Sequence, residues 1–506
     1  MNMKNMYSSA RCIWLKGVDI VLNGDITIFH RSFSKAVLLG ITGVILLYVS
    51  VAGIISVSVP WGDLSDTQYH IDYVWKVYNG GLPNFNDGIT YSPLVRGGNF
   101  HATASHPPLF YMIHAPILGP LLNEGRWKEA IAVGRVINIL LGVLCILALA
   151  WAGWVFGGAK RTLMAVAVPA IGTLMYRFTT LNTIFGNDVL IVLFATLALI
   201  FVYKLLKNGL QPKYIVALGL VSVFGMATKA TYIVILGISL LAVTVAFILH
   251  GKGGLRRRTI YGALISFLIA IVVTLSIGWF YYRNYQSSGS WFKSSPDDYT
   301  GGRVYKSLQD VFRGIKLWEL LYTNSSPAPY ISTAITSMAV SGFITLKFKT
   351  IRSFYKKDRA RLIMIIFMIL VFIGLFITQI RLAVGYGSIN FRYLLPALLP
   401  ISLFLSYGLL QFKPVRGQLV SLAAITMGLM ALLPFTSSSV IGKLLLSVKD
   451  TKGYFGKIFM ASFNNGVPRI VTLLLFAFFI VGSTLLVISL FKLSGIKKQS
   501  LTKITV

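Results

Sequence analysis

Pro107-Pro108-Leu109-Phe110-Tyr111-Met112-Ile113-His114-Ala115-Pro116-Ile117-Leu118-Gly119-Pro120-Leu121-Leu122 is the stretch on which the topology of this chain turns. It is apolar, but it is short and holds Pro107, Pro108, Pro116 and Pro120. A spanning helix needs about 20 mainly apolar residues, and interior prolines free backbone groups that hydrocarbon cannot satisfy. The stretch therefore reads as an interfacial or re-entrant segment. Apolar runs of span length lie elsewhere, at about 36–59, 130–156, 162–180, 187–205, 213–228, 230–249, 259–283, 330–346, 362–380, 389–411, 417–434 and 470–491. Those runs make about twelve expected spans.

The charges favour this reading. If 107–122 does not cross, every second connection is basic: Lys160-Arg161, then Lys204, Lys207 and Lys213, then Lys252 and Arg256 to Arg258. The series continues with Lys347 through Arg361, Lys413 and Arg416, and the tail Lys492, Lys497, Lys498 and Lys503. With Lys4, Arg11, Lys16, Arg31 and Lys35, that side holds more than half of the 47 Lys and Arg, and of the 15 acids only Asp19, Asp25 and Asp358. Counting 107–122 as a span would scramble the pattern from the third connection onward. The expectation is an all-α polytopic membrane protein of about 12 transmembrane helices, with both ends cytoplasmic and interfacial helices in the first outer loop. Its parts are a cytoplasmic segment 1–35, a transmembrane domain 36–491 and a cytoplasmic tail 492–506.

Composition agrees. Of the 506 residues 56% are hydrophobic and 12% charged, and the mean hydropathy is +0.74, whereas soluble proteins carry about 25% charged residues. A net charge of +32 is the positive-inside signal rather than a nucleic-acid footprint. The 2 Cys cannot form a disulfide scaffold; Cys12 falls inside and Cys145 within a span, so both are expected as free thiols. The first 35 residues carry no cleavage signature, so the first span reads as a retained anchor. No internal repeat is visible, which disfavours transporters built from related halves.

Polar residues able to build a site concentrate in the long outer connections 60–129, 284–329 and 435–469, so function is expected to face outward. In the first of them Asp63, Asp66 and Asp72 follow directly after a span. Ser65 or Asp66 is placed to cap a short helix whose Tyr69, Val74, Val77 and Tyr78 form a partly apolar face. Such a helix would hold Asp63 or Asp66 above the bilayer as a general base. Capping and solvation is the plainer use of an isolated Asp; the neighbouring His106-Pro107-Pro108 tips the cluster toward chemistry. His106 stands where a phosphate could meet an imidazole and helix N–H groups. His70, His101, His106 and His114, four of the six histidines, make zinc with Asp66 conceivable. No tight metal-ligand spacing is present, so no metal site is expected.

Arg135, Lys229 and Arg392 lie at span level, where a charge is costly unless it faces a cavity or partner. Snorkelling would explain Lys229 and Arg392, near span ends, but explains Arg135 less well. Three cations at one membrane face suit a lipid-linked phosphate. Asn187-Asp188 opens a span on the same side, with helix capping an equal explanation. No phosphate-binding loop, nucleophile elbow or dinucleotide fingerprint is present.

In this order the motifs resemble the GT-C superfamily of integral membrane glycosyltransferases, above all protein O-mannosyltransferases and lipid A aminoarabinose transferases. Asp66-Thr67-Gln68-Tyr69-His70 stands where that superfamily often reads Asp-Glu-x-x-His or Asp-Glu-x-Arg-Tyr. His106-Pro107-Pro108-Leu109 is similar to its Pro-Pro-Leu segment, Arg135 to an arginine of its second span, Asn187-Asp188 to an outer Asn-Asp, and Arg392-Tyr393-Leu394-Leu395-Pro396 to a late Arg-Tyr-x-x-Pro. Thr67 departs from the pattern, which usually has Glu there, and leaves open whether Asp63 or Asp72 substitutes.

The resemblance implies an inverting transferase that takes a sugar from a polyprenyl-phosphate-linked donor to an extracytoplasmic acceptor: a cell-envelope glycan, lipid or protein. In that scheme Asp66, with Asp63, supplies the catalytic carboxylate. His106, Arg135, Lys229 and Arg392 hold the donor phosphate, and His70, Asp72, Tyr111, Asn187, Asp188 and Tyr393 contact substrate. No cofactor is certain; a divalent cation on Asp63 and Asp66 is left open. The partners are the lipid-linked donor, the acceptor and the bilayer, with no nucleic acid. The competing readings are a multi-span transporter or lipid-linked glycan flippase, and a polymerase or ligase of envelope glycans, which would place its key Arg and His in a late outer loop.

Overall fold

The computed structural model describes residues 25–28, 31–59, 66–94, 100–183, 185–292, 307–314, 328–344, 358–386, 391–412, 415–432, 458 and 461–494. Asp63, Cys12, the residues 297–303 and most of 435–469 therefore lie outside the described residues.

A short antiparallel pair, β1 (Asp25–Ile28) and β2 (Arg31–Ser34), precedes α1 (Lys35–Ser58). This hairpin is a departure from the all-helical expectation, confined to the segment before the first span. The bundle itself is helical. After α1 come α2 (Thr67–Tyr78), α3 (Leu109–Asn123), α4 (Trp127–Phe156), α5 (Arg161–Thr173), α6 (Tyr176–Thr183) and α7 (Asp188–Asn208). Then follow α8 (Pro212–Met226), α9 (Ile233–His250), α10 (Leu255–Ser288), α11 (Leu308–Gly314), α12 (Ala328–Ile344) and α13 (Arg359–Tyr386). The last are α14 (Leu398–Leu409), entered through a tight 3-10 turn Phe391–Ala397, α15 (Arg416–Leu432) and α16 (Arg469–Leu493).

Each expected span falls on one of these helices or on a helix pair. Among the described residues eight helices are long and apolar enough to cross a membrane, or nine with α5 and α6 as one broken span. The run at 162–180 is not the single rod expected: α5 and α6 bend by 64° at Leu174-Met175. The Thr179 hydroxyl bridges the break, donating to Thr173 O at 2.8 Å and Met175 O at 3.1 Å, which supplies bonds that the bend takes from the helix ladder. α8, α12 and α15 are shorter apolar helices.

Contacts sort the connections into two ends. At one end Lys160 donates to Leu410 O, Arg361 to Phe156 O and Arg416 to Ser494 O, while His250 bonds Leu206 O. At the other, Asn465 donates to Val57 O, Arg283 to Pro83 O, Asn284 to Ser105 O and Asn187 to Thr228 O. The alternation holds along the chain only because α2 and α3 both stay at the second end. The charge count gives the same parity: the basic connections gather at the first end.

α1 and α16 run in close contact because neither carries a side chain at the crossing. A Cβ on Gly43 would lie 2.8 Å from Leu486 N, and one on Gly482 would lie 2.8 Å from Gly43 O. Small residues that let backbones meet are how helices associate where lipid removes the hydrophobic drive. Peripheral helices keep apolar faces outward: Leu264, Phe267, Leu268, Leu275 and Trp279 of α10 are all exposed, Leu275 at 77%. A soluble monomer does not leave such a stripe uncovered; this chain is an integral membrane protein.

Candidate active site at one end of the bundle

α2 begins where the chain leaves α1, and its buried face carries His70, Asp72, Tyr73 and Val74. It packs along α3, with the rings of Tyr73 and Tyr111 stacked at 3.6 Å between centroids. The expected capping role of Asp66 is corrected here. Asp66 occupies the N-cap position of α2, yet its side chain caps nothing. The carboxylate instead turns to Arg392, 2.6 Å from a guanidinium nitrogen.

Arg392 joins distant parts of the chain. Its Nε lies 2.6 Å from one oxygen of Asp188, and Lys229 donates to the other oxygen of Asp188 at 2.6 Å. Lys229 also lies over the ring of Tyr393 at 5.3 Å. The result is a chain of alternating charges, Asp66–Arg392–Asp188–Lys229, formally neutral as a set. Asp188 and Lys229 are nearly inaccessible, whereas the Asp66 side chain is 38% exposed. Burial opposes ionisation of Asp66, and the Arg392 guanidinium outweighs it, so the carboxyl titrates below the usual range.

Beside this set stand two histidines. Burial pushes the His70 pKa down to about 3, so its ring is neutral near pH 7. Its Nδ1 shares a hydrogen bond of 2.9 Å with the Tyr111 hydroxyl, and its Nε2 is buried with no hydrogen-bond partner among the described residues. A Cβ on Gly186 would come within 3.6 Å of that Nε2 and 4.0 Å of Asp188 Oδ2, so glycine leaves the space between them open. His106 is held well below the ordinary range by burial first and Lys229 second. Its Nδ1 is 3.4 Å from the Tyr111 hydroxyl, and Tyr73 donates to its carbonyl at 3.0 Å. The α3 N-terminus expected to receive a phosphate is used in part: Leu109 N already donates to Ala227 O.

The structure thus brings together Asp66, His70, His106, Tyr111, Asp188, Lys229, Arg392 and Tyr393. Asn187 stands alongside as a strut, its amide on Thr228 O at 3.1 Å, and it does not cap α7. Asp72 and Arg135 point elsewhere. The Asp72 carboxylate accepts from Thr90 N, Thr90 Oγ1 and Tyr91 N and meets His101 Nε2 at 3.0 Å. Arg135 is fully buried and donates to Ser56 O and Val59 O, the carbonyls that end α1. The sequence reading did not single out the bracing from α10, where Tyr281 donates to Met226 O, Arg283 to Asn84 Oδ1 and Asn284 to Ser105 O. The signal for it in the sequence is the polar outer end of that helix, Tyr281-Tyr282-Arg283-Asn284-Tyr285.

Among the described residues no three His, Cys, Asp or Glu side chains gather as a metal site. Asp188 has a cation on each oxygen and Asp66 has Arg392. The described donors therefore do not form a ligand set for a divalent cation.

Spans with a polar site at one end, built from an early Asp, a His-Pro-Pro segment and late cations, define the class: a polytopic membrane protein whose charged groups converge at one end of its helix bundle. The family model described as dolichyl-phosphate-mannose-protein mannosyltransferase matches residues 105–277, about a third of the chain. That segment holds His106, Arg135, Asn187, Asp188 and Lys229; Asp66 and Arg392 lie outside it and reach the site through the fold. No curated protein matches the sequence. Among solved structures the chain is similar to ArnT from Cupriavidus metallidurans bound to undecaprenyl phosphate, at 14% identity over 90% of this chain and 77% of that one, with a TM-score of 0.48. It is also similar to the archaeal oligosaccharyltransferase AglB from Archaeoglobus fulgidus in complex with an inhibitory peptide and a dolichol-phosphate. That likeness runs at 12% identity over 86% of this chain and 55% of that one, with a TM-score of 0.38.

Proposed function

We propose that the protein transfers a sugar from a polyprenyl-phosphate-linked donor to an acceptor on the outer side of the cell membrane, inverting the anomeric carbon, with Asp66 as general base. The observation that carries this reading is Arg392 bridging Asp66 and Asp188 while Lys229 holds the other oxygen of Asp188. In the transfer the acceptor oxygen bonds to the anomeric carbon and its proton passes to Asp66. The bond from that carbon to the phosphate oxygen breaks, and its electron pair stays on the phosphate. The phosphate gains one negative charge as Asp66 loses one, so the net charge of the site does not change. Arg392, deprived of its Asp66 partner, is then available to the new phosphate charge. A fixed cation aimed at charge that develops during reaction is the most effective kind of catalytic electrostatics.

Lys229 and His106 complete the phosphate side in this reading. With Tyr111 donating to His70 Nδ1, His70 Nε2 carries the proton and can donate to a sugar or phosphate oxygen, while Tyr393 and Tyr111 line the space. Asp72 and Arg135 are assigned positioning roles: Asp72 ties α2 to the segment 90–101, and Arg135 fixes the exit of α1 that leads into the first loop. Asn187 positions the Lys229 turn. Charge stabilisation rests on Arg392 and Lys229, so chelation is expected to leave the rate unchanged; loss restored by a divalent cation would place one on Asp66.

The outward placement follows from the basic connections at the opposite end of the bundle. The flippase alternative gains nothing from a polar cluster gathered at one end. The deciding experiment mixes purified protein with radiolabelled polyprenyl-phosphate sugars. Asp66-dependent release of free polyprenyl phosphate is expected. Neither binding nor turnover across a broad donor panel would overturn the reading in favour of transport.

A further inference from the structure

A second feature lies at the opposite end, away from every residue of the candidate site. Between the basic ends of α4, α5 and α7 a cavity of about 390 Å³ opens, lined chiefly by Trp151, Trp154, Arg161, Tyr203, Lys204 and Lys207. Among the described residues none of the lining is acidic. The cations are seated on aromatic faces: Arg161 over Trp154 at 4.7 Å, Lys204 over Trp151 at 4.8 Å, and Lys207 over Tyr203 at 5.4 Å. Lys207 also donates to the Tyr203 hydroxyl at 3.3 Å. Such contacts orient three positive groups around one hollow.

What leads into this hollow identifies its ligand. Val136, Leu140, Leu144 and Leu147 of α4 are all exposed. Their spacing of three and four residues places them on one helix face. Trp151 and Trp154 continue that series into the cavity. An apolar stripe of four side chains thus runs along the bundle exterior and ends at three cations. Either feature alone is ordinary in a membrane protein, lipid contact for the stripe and topology for the charges. Joined end to end, they have the shape of one molecule with an acyl chain and a phosphate.

We infer that the cavity is a binding site for an anionic phospholipid of the inner leaflet, its headgroup phosphate held by Arg161, Lys204 and Lys207 and one acyl chain laid along Val136, Leu140, Leu144 and Leu147. Basic pockets between spans on the cytoplasmic side are suited to such headgroups. The site is independent of the sugar-transfer reading, since it shares no residue with it.

The test is native mass spectrometry of the full chain in detergent with added phosphatidylglycerol, phosphatidylcholine of the same acyl chains, or inorganic phosphate. The wild type should retain phosphatidylglycerol and not phosphatidylcholine. Arg161→Gln, on the protein surface and safe for folding, should lower retention about fivefold, and the triple change with Lys204→Gln and Lys207→Gln on the order of a hundredfold. Unchanged retention in Arg161→Gln and in the triple variant would overturn the assignment. So would equal retention of phosphatidylcholine, or displacement of the lipid by an equal concentration of inorganic phosphate, which would mark a soluble-anion pocket instead.

Discussion

The carboxylate proposed to take the proton stands against a guanidinium, which makes Asp66 a weak base while Arg392 stays in place. In the proposed transfer this pairing is the resting arrangement: a donor phosphate would compete for Arg392, and Asp66 would become more basic as Arg392 turned away. Asp66→Asn should therefore lower release of polyprenyl phosphate by about 10²–10⁴-fold, the usual range for a lost general base, with the melting temperature close to that of the wild type. Full activity in that variant would move the base to Asp63 or Asp72. Arg392→Ala should weaken donor binding, and unchanged affinity for a polyprenyl-phosphate sugar would sink its assigned role.

His70 makes a prediction of the opposite sign to an ion pair. Its pKa falls from about 6.5 in the unfolded chain to about 3 in the fold. The unfolded state then binds the proton more readily, so stability is lost as pH drops from about 6.5 toward 3. Asp66, held below its unfolded value, gives stability that is present above about 3.9 and is lost as pH falls through its folded pKa. Between pH 6.5 and 4.5 Asp66 stays ionised and the buried histidines act, His70 together with His106, whose pKa burial also lowers. A melting curve measured across that window should fall less steeply in His70→Gln than in the wild type; identical slopes would show that His70 is not buried neutral.

At the scale of elements, α2 and α3 form a platform lying at one end of the bundle. Asp72 is its latch, accepting two backbone N–H bonds from Thr90 and Tyr91 and meeting His101. Burial opposes its ionisation and the His101 and Tyr91 hydrogen bonds outweigh it, so it remains a carboxylate. Asp72→Asn should cost roughly 1.5–3 kcal/mol, the range for a hydrogen bond to a charged group, and appear as a lower melting temperature. A variant that melts normally but binds substrate poorly would restore the substrate contact first expected of this residue. The α1–α16 crossing is a second element-scale test. Gly43→Leu must push a side chain into Leu486 N and Gly482 O, and should destabilise by about 1–3 kcal/mol or more, as overpacking does.

For the whole molecule the parity of spans is the central claim. A cysteine placed at Gly253, in the basic turn between α9 and α10, should react with a membrane-impermeant thiol reagent only from the cytoplasm. One placed at Asn86, in the first outer connection, should react only from outside. Labelling of both from the same side would mean that α3 crosses the membrane after all. The helices and their alternation were legible in the sequence because hydropathy and the distribution of Lys and Arg are one-dimensional properties that the bilayer reads directly. Membership of the candidate site was legible in part: Asp66 and His106 stand in the first outer connection, and Lys229 and Arg392 at outer span ends, where a charge needs a reason. Their pairing was not. Asp66 and Arg392 meet across most of the chain, and Asp188, read as a substrate contact, turns out to hold two cations in register. Arg135 looked like a phosphate ligand because a charge in a span demands a partner. Its partners were backbone carbonyls at the end of α1, which carry no mark in the sequence. The chain by itself determined where the apolar helices lie and which connections carry positive charge; only the tertiary structure decided which charges face each other, because ion pairing depends on angstrom-scale distance in three dimensions.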